Sequence, residues 1–302
     1  MTGLLAELGK KLADRWLTAL MLPGLLLVAV AVVGFRLSHR HPFDVAALSR
    51  WVDDTAASPV GRSQGALLLI TAAVLLAAGA AGLAAAGLGA GCGRWCVAEG
   101  SWPPGSWLAA WRRRRWEQAD RAAREALRAA AADVTKPHPP LRAAILRRDR
   151  IALRAPHRPT FVGDRFSAVD QRVADAYGLD LLAVWPRMWL VVDDPVRAQT
   201  SAAQDAYAAA LRLAGWGILY LGLGVMWWPA AVVGLVVLAV AWVRVRQTAG
   251  LLADLVEATV DLHGRTLADR LGLPVDGQLT RAQGQMVTAA LRKDVPLSLP
   301  ES

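Results

Sequence analysis

The sequence contains no asparagine, few lysines and only two cysteines among its 302 residues. Two cysteines cannot form a framework of several disulfides, which excludes a small, disulfide-stapled secreted domain. Cys92 and Cys96 lie at the end of an apolar stretch, so we expect reduced, structural thiols. The dominance of Ala and Arg over Asn and Lys is typical of GC-rich coding and indicates a bacterial source.

Charge is also missing from three long stretches of the chain. Residues 16–35, 65–93 and 213–243 carry no Asp, Glu, Lys or Arg. Overall, 55% of residues are hydrophobic and the mean hydropathy is +0.32. This segregation of charge from long apolar runs predicts an integral membrane protein.

The first apolar stretch predicts a membrane-spanning helix at residues 16–36, preceded by a cytoplasmic amphipathic helix at residues 1–15. Twenty apolar residues are enough to cross about 30 Å of hydrocarbon. A cleaved signal peptide is the alternative, because a basic segment comes first and Ala29-Val30-Ala31 imitates a cleavage site. The apolar run continues to Val33, which favours an uncleaved anchor.

The second stretch predicts a span at residues 65–93. Small residues recur there every four positions, in the series Gly82, Ala86 and Ala90 and in the pair Gly87 and Gly91. Such spacing allows close approach of helices in lipid. We therefore expect these residues to pack against another helix.

The third stretch has two interpretations. Residues 213–243 are too long for one upright crossing, and Trp227-Trp228-Pro229 lies in the middle. Either one tilted helix is kinked at the proline, or two helices meet in a tight hairpin. The hairpin is favoured because proline suits the first turn of a helix. It predicts spans at residues 206–228 and 229–246, with Trp227 and Trp228 at the membrane interface.

The basic residues predict the topology. Four spans with both termini in the cytoplasm place every strong basic group on the cytoplasmic side of a bacterial inner membrane. The expected fold is mostly all-α: four transmembrane helices with cytoplasmic helical extensions and a small cytoplasmic region. Its soluble parts are an extracytoplasmic loop at residues 37–64, a cytoplasmic region at 94–205 and a cytoplasmic helical tail at 247–302.

The cytoplasmic region opens with a predicted helix from Trp107 to Asp133. Its first turns contain a basic run between two tryptophans, and we assign the whole run to the membrane interface: Trp111, Arg112, Arg113, Arg114, Arg115 and Trp116. Such a run either binds anionic lipid or is an ordinary positive-inside stop signal. Both interpretations place it next to the bilayer.

A proline-rich stretch at residues 137–159 predicts a loop, and a short helix follows. Asp164 is its expected N-cap, and Gly178 its expected left-handed C-cap. One apolar face at helical spacing comprises Phe166, Val169, Val173 and Tyr177.

Residues 179–192 are apolar apart from Asp180 and Arg187, and they are too few to span. We expect either a buried core element or an interfacial segment anchored by tryptophans. Asp194 and Pro195 predict the N-cap and first residue of a helix that runs into the third span.

This part of the chain resembles a group of uncharacterised multi-spanning bacterial membrane proteins. The resemblance covers roughly residues 155–270 and includes the Trp-Trp-Pro segment. It is carried by Pro159, Thr160, Gly163, Asp164, Arg165, Tyr177, Gly178, Asp180, Trp185, Pro186 and Arg187. Related proteins often have Gly-Asn where this chain has Gly163-Asp164. The resemblance implies membership of the group and no particular activity.

No catalytic or metal-binding motif emerges from the sequence. His39 and His41 are separated by one residue and Asp44 is near, but such a pair is usually part of an ordinary loop. P-loop, nucleophile-elbow and His-Glu-x-x-His patterns are lacking. We expect no cofactor, no metal and no nucleic acid, and we attribute the net charge of +9 to a membrane surface.

The sequence is compatible with three functions. The first is a membrane-anchored structural or interaction protein, which presents basic cytoplasmic helices to anionic lipid, to a protein partner or to another copy of itself. The second is a channel or small-solute transporter, although the spans lack a midplane charge. The third is a membrane enzyme that acts on lipid, for which Asp164, Arg165 and Arg187 are the candidates. Without catalytic motifs, the first is favoured.

Overall fold

The computed structural model describes residues 21–37, 39, 41–100, 103–132, 139–273, 275 and 277–293. All regular structure in these ranges is helical, which confirms the mostly all-α prediction. The amphipathic helix predicted at residues 1–15 and the start of the first span lie outside the described residues. So do Pro274 and residues 294–302 of the predicted tail.

The helices, in chain order, are α1 (Leu22–Leu37), α2 (Val45–Ala57), α3 (Pro59–Arg62), α4 (Gln64–Val97), α5 (Gly105–Ala132), α6 (Pro139–Asp149), α7 (Phe161–Tyr177), α8 (Leu181–Val191), α9 (Asp194–Leu223), α10 (Trp228–Arg270) and α11 (Arg281–Arg292). The chain divides into two compact units. The first comprises residues 1–93 and 208–244, and the second comprises residues 94–207 and 245–302.

In the first unit, a hairpin joins α9 to α10, as the Trp-Trp-Pro segment predicts. α9 ends at Leu223, and α10 begins at Trp228 with Pro229 in its first turn. The two helices are antiparallel neighbours, because a Cβ on Gly224 would lie 2.5 Å from the Ala231 Cβ and one on Gly217 would lie 2.7 Å from the Leu238 side chain. One kinked helix is therefore excluded.

Small residues bring the helices of the first unit into backbone contact, but the predicted stripe is partly wrong. A Cβ on Gly89 would lie 2.5 Å from the Leu211 carbonyl oxygen, and one on Gly215 would lie 1.9 Å from that of Ala85. Gly87 and Gly91 meet nothing within 4 Å. Of the predicted series, Gly82 is buried and Ala90 is exposed. The contact face therefore follows Ala85 and Gly89.

The first unit exposes the side chains that a soluble protein would bury. Leu68, Leu69 and Leu76 on α4 are 73%, 74% and 75% exposed. A contiguous apolar surface of this kind is stable in lipid and a liability in water. In the described residues, three helices are long and apolar enough to cross a membrane: α4, α9 and α10. α1 is a shorter apolar helix within those residues.

Two predicted loops contain helices. The predicted extracytoplasmic loop holds α2, whose N-cap Asp44 accepts a hydrogen bond from the Ala47 amide at 2.8 Å, and it also holds α3. The proline-rich stretch holds α6. Its two prolines occupy the first turn, where the missing amide protons cost nothing. The number of prolines predicted a loop here, but prolines in the first turn of a helix are compatible with that helix.

The second unit has one apolar core, formed by α7, α8, α10 and α11. Val169 and Val173 of the predicted α7 face are 2% and 1% exposed, and Phe166 and Tyr177 pack against the core. Gly178 ends α7 with φ +68°, as predicted. On α8, Val184 and Met188 are fully buried. The core interpretation of residues 179–192 therefore holds for one face of that helix.

The ends of the long helices follow local rules only in part. α9 begins at Asp194, one residue earlier than predicted, with the Asp193 carbonyl accepting a hydrogen bond from the Arg197 amide at 3.0 Å. α10 continues from the last predicted span to Arg270 as one helix, as expected, and Gly272 follows with φ +75°. α11 was not predicted individually, although Thr280 and Gln283 form a capping box at its start.

Candidate functional site

The motif Pro159-Thr160-x-x-Gly163-Asp164 begins α7, in the second unit. Thr160 is the N-cap and accepts a hydrogen bond from the Gly163 amide at 3.0 Å. Its hydroxyl donates to the Cys96 carbonyl oxygen in the last turn of α4. Asp164 is therefore not the N-cap, and the prediction was one turn off. A threonine four residues earlier satisfies the helix terminus first.

Gly163 is required by a close approach of two backbones. A Cβ at this position would lie 2.7 Å from the Cys96 carbonyl oxygen and 3.0 Å from the Arg158 side chain. Helix α7 therefore starts directly against the end of α4. The glycine of the motif serves packing, not a ligand.

Asp164 instead organises the loop before α7. One carboxylate oxygen accepts hydrogen bonds from the His157 and Arg158 amides, at 2.9 and 2.8 Å. The other accepts from the guanidinium of Arg112 on α5 at 2.5 Å. Both side chains of this ion pair are 11% exposed. Charge-assisted bonds to all these donors give the carboxylate a structural task.

Arg112 fastens the same loop through its other donors. It donates to the Arg158 carbonyl at 2.8 Å and to the Ile151 carbonyl at 2.9 Å. The residue is 9% exposed. The assignment of Arg112 to the membrane interface is therefore corrected, because its guanidinium is hydrogen-bonded inside the second unit.

The neighbours of Arg112 divide into inward and outward groups. Arg113 bonds to the Pro156 carbonyl and lies 3.0 Å from Nδ1 of His157. The Trp116 indole donates to the Ala152 carbonyl at 2.8 Å. Both therefore help to fasten residues 151–158, although Arg113 is exposed; Trp111, Arg114 and Arg115 are exposed and make no bond to that segment among the described residues.

The outward group forms what we call the aromatic–basic surface: Trp107, Leu108, Trp111, Arg114 and Arg115, all within the first three turns of α5. Trp107 is 73% and Trp111 is 53% exposed, unusually high values for tryptophan. The Arg115 guanidinium lies 4.8 Å from the centre of the Trp111 ring. Indole rings next to cations are suited to an interface at which an apolar layer lies beneath anionic groups, such as that of a bilayer.

The second half of the motif that carries the resemblance, from Tyr177 to Arg187, also has structural roles. A Cβ on Gly178 would lie 2.5 Å from the Arg281 carbonyl, so α7 ends against α11. Asp180 caps α8 by accepting from the Leu182 amide at 3.0 Å, and it pairs with Arg292 of α11, whose Nε lies 2.9 Å away. Tyr177 packs against the core beside them.

The Trp-Pro-Arg segment lies on α8. Trp185 and Trp189 are half-buried neighbours, with ring centres 6.2 Å apart. Pro186 and Arg187 are exposed, and Arg187 donates to the Ala183 carbonyl one turn earlier. The segment therefore has a buried side and a solvent side.

The three candidates for lipid chemistry do not form one site in the described residues. Asp164 is bonded to Arg112, and Arg165 forms an ion pair with Asp254 of α10. Among the described residues, Arg187 has the local bond to the Ala183 carbonyl and no ion pair. A catalytic acid or base needs a free position for the substrate proton, and Asp164 and Arg165 are each held in an ion pair.

The described part of the second unit has a small cavity of about 20 Å³, whose lining includes Asp164 and Arg165, and two larger concave regions. One of about 250 Å³ is lined by Val97, Arg158, Phe166, Ser167, Val169, Asp170, Leu181, Leu182, Ala253 and Val256. Asp170 is exposed at the rim, and partial desolvation raises its pKa above the ordinary value, with the charge of Asp180 adding to this effect. The other, of about 380 Å³, has a mixed lining that includes Arg172 and Glu257, which are bonded to each other at 2.6 Å.

In the first unit, the two tryptophans of the hairpin differ in environment. Trp227 donates its indole proton to the Pro42 carbonyl at 3.1 Å, and its Cβ lies where Gly34 leaves room. Trp228 is 44% exposed and meets Phe43 edge to face at 5.9 Å. His39 lies 2.6 Å from the Met226 carbonyl oxygen, so the loop with His39 and His41 packs on the hairpin.

The described residues contain no group of three or more His, Cys, Asp or Glu side chains that could hold a metal ion. The sequence does not predict the ion pair of Arg112 with Asp164, because the two residues are 52 positions apart and only folding brings α5 close to α7. Compared with known proteins, the chain matches no family model, no curated protein and no solved structure.

Proposed function

We propose that this chain is a membrane-anchored interaction protein, which holds a rigid, basic helical unit at the cytoplasmic face of a bacterial inner membrane. The observation that supports it best is the contrast within the second unit. Four polar residues of the motif, Thr160, Asp164, Arg165 and Asp180, are engaged in internal hydrogen bonds and ion pairs, whereas the aromatic–basic surface is exposed. This contrast between bonded and exposed residues is compatible with binding and does not require catalysis.

The proposed topology has four crossings with both termini in the cytoplasm. It is supported by the length and apolar character of α4, α9 and α10 and by the hairpin between the last two. α1, an apolar helix with 16 residues, is the proposed first crossing. Arg94, Arg244 and Arg246 then all lie on the cytoplasmic side.

A reporter that is active only outside the cytoplasm tests this topology when it is fused after Ser302. We expect no reporter activity, and we expect activity when the same reporter is inserted after Asp54 in the predicted extracytoplasmic loop. Activity at Ser302 contradicts the four-span topology.

Crosslinking in native membranes tests the interaction role. We expect the full chain, crosslinked through lysine-independent photochemistry, to be recovered with a stoichiometric partner, with bound anionic lipid or with a second copy. Recovery only as a lipid-free monomer contradicts the proposal. A reconstituted channel would instead give solute flux above that of empty liposomes.

A further inference from the structure

We propose that the aromatic–basic surface of α5 binds the anionic headgroup layer of the membrane in which the chain is anchored. This proposal rests on the proposed function and specifies its ligand: phospholipids with a net negative charge. Residues Trp107, Leu108 and Trp111 would enter the headgroup region, and Arg114 and Arg115 would meet the phosphates.

The position of α5 along the chain supports a membrane as the occupant. Helix α4 ends at Val97, four residues beyond the predicted end of the second span, which is about 6 Å of helix. Gly105, the first residue of α5, lies so close to Gly100 that a Cβ on it would be 2.9 Å from the Gly100 Cα. Gly100 is three positions after Val97 and so lies at most about 11 Å from it, which places the start of α5 within about 15 Å of the end of α4.

The packing of the second unit fixes this arrangement. The start of α7 is bonded to the Cys96 carbonyl at the end of α4, through the Thr160 hydroxyl. Arg112 joins α5 to the same region through Asp164. The buried side of α5 is thereby committed to α7 and to residues 151–158, so Trp107 and Trp111 remain on the outside.

The chemistry of the surface selects anionic lipid over neutral lipid. Tryptophan favours the interface between headgroups and acyl chains regardless of lipid charge. Each arginine near an anionic surface adds an attraction, and two of them strengthen binding roughly thirty-fold. Arg114 has no ion-pair partner among the described residues, and Arg115 is engaged only with the Trp111 ring there.

The test uses the full chain in nanodiscs with a spin label at Ala110→Cys, in a Cys92→Ala/Cys96→Ala background. Ala110 is exposed, and Trp107 and Arg114 are its neighbours at helical spacing. Collisions of the label with oxygen, which dissolves in lipid, are compared with collisions with a water-soluble nickel chelate. Discs contain phosphatidylcholine alone or a 7:3 mixture with phosphatidylglycerol.

We expect the ratio of oxygen to nickel collisions to rise in the anionic discs and to fall back in 0.5 M salt. Arg114→Gln/Arg115→Gln should abolish the rise. Arg121→Gln/Arg128→Gln removes the same charge from exposed positions farther along α5 and should leave the rise intact. Equal ratios in both lipid mixtures, or equal loss in both double variants, overturn the proposal.

Protection of the label from nickel in native membranes, without protection in either type of disc, also overturns the proposal, because it identifies a protein as the occupant. The topology reporter and crosslinking to a protein partner or to a second copy do not depend on lipid charge. Their success alongside an unchanged collision ratio would remove the lipid proposal and leave the proposed function standing.

Discussion

The guanidinium of Arg112 lies 2.5 Å from the carboxylate of Asp164, although the two residues are 52 positions apart. Both side chains are 11% exposed, and together they fasten residues 151–158 between α5 and α7. The run of four arginines at residues 112–115 thus has a structural task. One of its cations holds the second unit together.

Removing the carboxylate should therefore destabilise the protein strongly. Asp164→Ala leaves a buried guanidinium and two backbone amides without their acceptor, and we expect a loss of about 2–4 kcal/mol in unfolding free energy. Asp164→Asn should cost less, because its carbonyl oxygen can still accept from the His157 and Arg158 amides. Thermal unfolding in detergent measures both.

Arg112→Met provides the double-mutant cycle for this ion pair. Combined with Asp164→Asn, it should cost less than the sum of the single changes, because neither charge is then left alone. Arg115→Gln is the exposed control and should change the unfolding midpoint little. Additive effects of Arg112→Met and Asp164→Asn contradict a coupled pair.

Gly163→Ala should destabilise the junction between α4 and α7. Its Cβ would lie 2.7 Å from the Cys96 carbonyl oxygen, so a backbone must move, at a cost of about 1–3 kcal/mol. Gly250→Ala, in α10 of the same unit, meets nothing within 4 Å and should be neutral or slightly stabilising. If the two variants unfold at the same temperature, the close approach is absent.

The helix packing of the first unit depends on Gly215. A Cβ there would lie 1.9 Å from the Ala85 carbonyl oxygen, so Gly215→Ala should separate α4 from α9. Gly87→Ala on α4 is the matched control, because that position is open. We expect lower yield and a lower unfolding temperature for Gly215→Ala alone. Disulfide trapping between cysteines placed in α4 and α9 would report the separation directly.

Asp170 should make stability depend on pH in the direction opposite to most carboxylates. Its pKa is raised in the folded state by partial desolvation and by Asp180, so the folded state holds the proton more tightly than the unfolded state does. This group therefore favours folding at low pH, and its contribution declines as pH rises from the unfolded pKa through the folded pKa.

Asp170→Asn should consequently raise the unfolding midpoint at neutral pH, by an amount typical of a surface substitution, within about 0.5 kcal/mol. The gain should vanish below the ordinary pKa of aspartate, where the carboxyl is protonated in both states. Midpoints measured across a pH series test this. A gain that is independent of pH would assign the effect to packing.

Local rules predicted the features that depend on neighbours in sequence. Gly178 and Gly272 end their helices with positive φ, since glycine adopts that conformation without steric cost. Trp228-Pro229 starts α10 because proline fits a first turn, and the uncharged stretches at residues 65–93 and 213–243 lie largely in long apolar helices. The apolar face of α7 followed from its spacing alone.

Tertiary structure decided which of several equivalent residues makes each contact. The repeats on α4 offered more than one small-residue face, and only the position of α9 selects Ala85 and Gly89. Four adjacent arginines are equivalent in sequence, but each lies at a different angle around α5. Arg112 therefore contacts Asp164, whereas Arg114 and Arg115 are exposed. Periodicity determines which residues share a face; the partner helix, brought close by folding, determines which face is buried.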